Sequence, residues 1–87
     1  MIFEFDLRKS LSNKAKHGID FEEAQSLWHD EWLLEAPAKT ADEPRVLAVG
    51  KIDEIHWAAI YTRRGDSIRI ISVRRARRTE IERYESE

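Results

Sequence analysis

The apolar positions of this 87-residue chain change period twice, and each change predicts an element. Residues 2–5 alternate loosely and predict a short first strand. Asp6 then stands as an N-cap before Leu7, Leu11 and Ala15, spaced for one face of an amphipathic helix that Gly18 closes. Asp20-Phe21-Glu22-Glu23 is an acidic variant of the capping box, and Phe21, Ala24, Leu27 and Trp28 share one helical face. A second helix over about 21–29 follows, separated from the first only by Ile19 and Asp20.

From Trp32 onward the period shortens. Trp32 to Ala36 reads as a strand ended by Pro37, and Lys39–Pro44 as a polar turn. Val46–Ile52, Ile55–Thr62 and Ser67–Val73 are β-branched runs with breaks at Asp53-Glu54 and at Arg63-Arg64-Gly65-Asp66, the spacing of an antiparallel meander. Strict alternation places Ile68, Ile70, Ser72 and Arg74 on one face of the last strand and Arg69, Ile71, Val73 and Arg75 on the other. Thr79-Glu80-Ile81-Glu82 is a capping box for a short terminal helix carrying Ile81 and Tyr84. The expected fold class is α+β: two N-terminal helices packed on an antiparallel sheet, plus a C-terminal helix, in one domain spanning 1–87.

Charge sharpens this picture. The formal net charge is −2, yet residues 63–78 hold seven arginines, no lysine and one acid, Asp66. Residues 8–16 add Arg8, Lys9, Lys14 and Lys16 without an acid, while residues 20–54 are strongly acidic. Two basic blocks flanking an acidic one can meet as a single cationic face, or neutralise the acidic block internally. Arginine is permanently charged, and its planar fork matches phosphate oxygens two at a time, so the cluster reads as a phosphate-binding face. A solvated edge strand guarded by charge is the competing reading. There is no cysteine, which excludes disulfides and cysteine metal sites. No run of about 18 apolar residues occurs, so no membrane span is expected and the expected location is the cytoplasm.

Chemistry-bearing residues are few. His17 ends the first helix beside Lys16, where the helix dipole favours both, and an imidazole can also move protons near neutral pH. His29 and His56 lack metal-ligand spacing to it, so neither a metal nor another cofactor is expected. Glu80 reads as an arginine partner, and Tyr84 as a core residue whose hydroxyl can reach a groove. The segment Asp20–Trp28 bears three acids and no Lys or Arg, which argues against reading DNA through a helix-turn-helix.

The order of these segments resembles a known family. Phe3-Glu4-Phe5-Asp6-x-x-Lys9-x-x-x-Asn13-x-x-Lys16-His17-Gly18-Ile19-x-Phe21-x-Glu23-Ala24 is similar to the N-terminal half of BrnT toxins of bacterial type II toxin–antitoxin systems. Tyr61-Thr62-x-Arg64, Arg69-Ile70-Ile71-Ser72-x-Arg74-x-Ala76, Glu80 and Tyr84 resemble the C-terminal half, with Val73 where alanine is more usual. The resemblance implies a RelE-like fold and a ribonuclease that stops translation. It also implies a hetero-oligomer with a ribbon-helix-helix, BrnA-like antitoxin, through which alone the operator DNA is bound and the operon repressed. On this footing, metal-independent RNA cleavage is assigned to His17, Arg64, Arg74 and Tyr84, and RNA binding to Lys16, Arg69, Arg75 and Arg77. The alternative is a non-enzymatic module that docks a partner protein or a nucleic-acid backbone on the same arginines.

Overall fold

Five strands form one mixed sheet in the computed structural model, which describes residues 1–38 and 43–86. In chain order they are β1 (Ile2–Glu4), β2 (Leu34–Ala38), β3 (Arg45–Ile52), β4 (Ile55–Arg64) and β5 (Ser67–Arg75), arranged β1-β5-β4-β3-β2. β2 to β5 run antiparallel to one another, but β1 lies parallel to β5, with Ile2 opposite Ser67. The purely antiparallel expectation therefore fails at one edge. No hairpin joins β1 to β5, so no turn constrains their relative direction. β2 begins two residues later than expected and includes Pro37, which an edge strand tolerates. Most of the predicted polar turn, residues 39–42, lies outside the described residues.

The first helix, α1 (Leu7–His17), starts and stops where the sequence says. Asp6 Oδ1 accepts from the Arg8 and Lys9 N–H groups, and Gly18 closes the helix at φ 82°, a left-handed value that glycine adopts without strain. Its inward face is not the expected one. Leu7 and Leu11 are 67% and 63% exposed, and the buried residues are Ser10 and Asn13. Polar bonds explain the reversal. Ser10 Oγ accepts the Phe21 N–H at 2.9 Å, and the Asn13 amide donates to Ile19 O at 2.8 Å and Val73 O at 2.9 Å.

The second helix is a 3-10 helix, Glu23–His29, rather than an α-helix over 21–29. Asp20 and Glu23 exchange reciprocal side-chain to backbone bonds of 2.7 and 3.0 Å, as the capping box requires. In 3-10 geometry side chains three apart eclipse, which lines up Ala24 and Leu27 against the sheet, both fully buried. The helix end approaches β3 closely: a Cβ at Gly50 would lie 2.9 Å from Leu33 and 3.2 Å from both Leu27 and Asp30.

The main core lies between these helices and the sheet, formed by Phe21, Leu27, Trp57, Tyr61, Ile68, Ile70 and Val73 among others. Edge-to-face contacts run from Phe3 to Trp28 at 5.1 Å and from Trp28 to Tyr61 at 5.5 Å. Truncating Leu27 there would cost about 2–5 kcal/mol. On the opposite sheet face a smaller cluster sets Tyr84, from the terminal helix α2 (Arg78–Glu85), against Val49 and Ala58. α2 begins earlier than the expected Thr79 cap. Arg77 is its N-cap, and Glu80, not Glu82, reaches back to the Arg77 N–H at 2.7 Å. Arginine has no acceptor with which to return that bond, so half of a capping box forms.

Candidate functional site

The alternation expected for β5 breaks at Ile71. Tyr61 pairs with Ile70 but Ile60 pairs with Ser72, leaving Ile71 as the extra residue of a bulge. After it the faces exchange. Val73 joins Ile68 and Ile70 in the main core, while Arg69, Ser72 and Arg74 lie opposite Thr62, Ile60 and Ala58 on the other face. The Asn13 side chain holds the strand just past the bulge, donating to Val73 O and accepting from Val73 N at 3.2 Å.

That clamp stands one turn before the end of α1, so the last turn of the helix is fixed against the bulge. Between them lies a depression of about 200 Å³, lined by Lys9, Ser12, Asn13, Lys16, His17, Phe21, Ile71 and Ser72. Lys14 turns away to Glu23 at 2.8 Å, whereas Lys9 and Lys16 make no ion pair among the described residues. His17 is exposed at the rim. Two cations, an imidazole and the Ser12 hydroxyl around one opening can hold an anionic oxygen and pass a proton to or from it.

The arginines divide. Arg69 lies 3.5 Å from Glu4, and its charge, after two backbone N–H bonds and Lys9, helps hold the Asp6 carboxyl below its ordinary range. Arg74 grips Glu80 with two bonds of 2.9 Å, and that contact pulls the Glu80 pKa down. Arg75 turns to the main-core side and covers the Trp57 ring at 5.5 Å. Arg77 caps α2. Arg64 is at the far end of the hairpin, 3.9 Å from Glu43.

Tyr84 does not join the His17 depression. It lines a separate one of about 300 Å³ with Trp32, Lys51 and Glu85. Its hydroxyl donates to Asp30 Oδ2, and burial together with that bond pushes its pKa up. Asp30 also accepts the Trp32 and Lys51 N–H groups at 2.8 and 2.9 Å, and so ties the 3-10 helix, β3 and α2 together. Among the described residues no three His, Asp or Glu side chains converge as a metal site. None of the helices there is long and apolar enough to cross a membrane.

A family model described as the ribonuclease toxin BrnT of type II toxin–antitoxin systems matches residues 5–80. The chain belongs to the BrnT family. No curated relative matches it. The part shared with the BrnT model holds α1, the 3-10 helix, β2 to β5 and Glu80, and so contains the whole His17 depression. Tyr84 lies beyond it. Membership implies a ribonuclease toxin with an antitoxin as its partner.

Four polar residues of the depression, Lys9, Ser12, Asn13 and Ser72, were not among the expected site residues. Lys9, Asn13 and Lys16 carry a signal in the sequence, because spacings of four and three put them on one side of a helix. Ser72 carries none. It follows the bulge residue Ile71 in β5.

Proposed function

We propose that this BrnT-family chain is a metal-independent endoribonuclease working at the His17 depression, as one toxin domain of residues 1–87 with a RelE-like fold. The observation that supports the reading best is the gathering of Lys9, Lys16 and His17 against the β5 bulge in a chain of a ribonuclease-toxin family. In the proposed reaction the ribose 2′-oxygen attacks the neighbouring phosphorus. The new 2′-O–P bond forms as the bond to the 5′-oxygen breaks, leaving a 2′,3′-cyclic phosphate and a 5′-hydroxyl. His17 takes the 2′ proton while water protonates the 5′-oxygen, or supplies the 5′ proton while water takes the 2′ proton, since no arginine can act as a base at neutral pH. Lys9 and Lys16 stabilise the charge that builds on the phosphorane oxygens.

Arg69 and Arg74, on the sheet face beside Ser72, hold flanking phosphates, and Arg75 and Arg77 meet the strand beyond them. Arg64 contacts RNA at the hairpin end. Tyr84 is assigned a structural role through Asp30. RNA loss would stop translation in the cytoplasm. A ribbon-helix-helix antitoxin would neutralise the toxin and repress the operon jointly with it.

The test is RNA cleavage by purified wild type and His17→Ala, with folding checked by circular dichroism. Catalytic cleavage that falls about 100-fold or more in folded His17→Ala supports the assignment. Full activity in that variant removes His17 from the chemistry. Stoichiometric RNA protection without turnover by the wild type makes the chain a binding module.

A further inference from the structure

α1 carries its leucines away from the core. Leu7 and Leu11 are exposed, and with Ala15, also exposed, they form a stripe at four-residue spacing along two turns of the helix. The core does not hold α1 by this side, because Ser10 and Asn13 anchor the opposite one. The margins of the stripe are basic: α1 contains no acid, helical spacing sets exposed Arg8 on one side, with no ion pair among the described residues, and Lys14 on the other.

This pairing of apolar stripe and basic margin selects an occupant. RNA offers leucine no apolar face. A second copy laid on the stripe about a two-fold axis would set one basic margin against another. An amphipathic segment with apolar residues three or four apart and Asp or Glu beside them satisfies both parts. We infer that Leu7, Leu11 and Ala15 form the docking strip for an acidic amphipathic segment of the antitoxin. Inhibition by a segment docked there rests on the cleavage reading above.

The probe is the purified product of the neighbouring open reading frame, titrated into wild type, Leu7→Ser/Leu11→Ser and Arg8→Glu. All three changed side chains are exposed, so the fold and RNA cleavage should be retained. The leucine variant should bind the probe roughly 100-fold more weakly and escape inhibition. Arg8→Glu should bind more weakly too, and wild-type affinity should fall as salt is raised. Unchanged binding by the leucine variant overturns the inference, as does a wild type that does not bind the probe. So does a wild-type dimer that the leucine variant turns into a monomer. Leucine-dependent binding by a wild type that cleaves nothing keeps the docking strip and refutes the cleavage reading instead.

Discussion

Asn13 on α1 hydrogen-bonds both backbone groups of Val73, sixty residues away, and so fixes the helix that carries His17 to the strand that carries Arg74. Replacing it by alanine strands a buried N–H and C=O on Val73 and removes the bond to Ile19. Asn13→Ala should lose about 1–3 kcal/mol of stability in urea unfolding. Cleavage by the fraction still folded should fall as well. Asn13→Asp keeps an acceptor for Val73 N–H but loses both donations, and should be no better.

Arg74 and Glu80 are joined by two bonds, so each substitution has a signature. Arg74→Ala should reduce RNA cleavage and also lower stability, because Glu80 is left largely buried without its partner. The Arg74→Ala/Glu80→Gln pair should recover stability without recovering cleavage. Thermal melts and cleavage rates on the same three proteins check both parts. Equal rescue of the two would mean that Arg74 only braces α2.

The same pair sets a pH dependence. Glu80 titrates below its ordinary 4.5 in the folded chain, chiefly through its bonds to Arg74. Its contribution to stability is therefore complete above that value and fades as pH falls through the lowered one. Urea midpoints of the wild type should drop below about pH 4.5, and Glu80→Gln should show a smaller drop over the same interval.

Tyr84→Phe separates bracing from chemistry. Loss of the hydroxyl leaves Asp30 without one of its donors and should cost about 1–2 kcal/mol. Cleavage per folded molecule should stay near wild type. A steep loss of turnover with intact stability would bring Tyr84 into the reaction.

Gly50→Ala places a methyl group 2.9 Å from the Leu33 side chain and 3.2 Å from those of Leu27 and Asp30. Overpacking of that kind costs about 1–3 kcal/mol. Unfolding midpoints should fall, while RNA cleavage at low temperature should persist, because Gly50 does not line the His17 depression.

What the sequence disclosed follows from where its signals are local. Asp6, Gly18 and the Asp20–Glu23 exchange are short-range devices, and each appears as read. The direction of β1 depends on packing between the two ends of the chain, which no neighbouring residue records. The leucines of α1 misled because the helix docks through two polar side chains, and periodicity weighs only apolar ones. Lys16 and His17 were legible from their place at a basic helix end. Ser72 was not, since the α1 residues it lines the depression with lie far from it along the chain. The arginine cluster was visible as charge, but composition does not reveal that Arg75 serves Trp57 or that Arg74 is held by Glu80.

The surplus residue Ile71 acts as a phase shift within a single strand. Ahead of it the core takes even-numbered positions, Ile68 and Ile70, and the cationic face takes Arg69; behind it the core takes Val73 and the cationic face takes Arg74. Drawing Ile71 into regular pairing would make the alternation unbroken along the numbering and send Arg74 toward the core face, with Val73 facing outward. The two faces of β5 therefore depend on where the strand departs from regular pairing as much as on its composition. Pairing Ile71 like its neighbours would exchange them, though every side chain kept its chemical character.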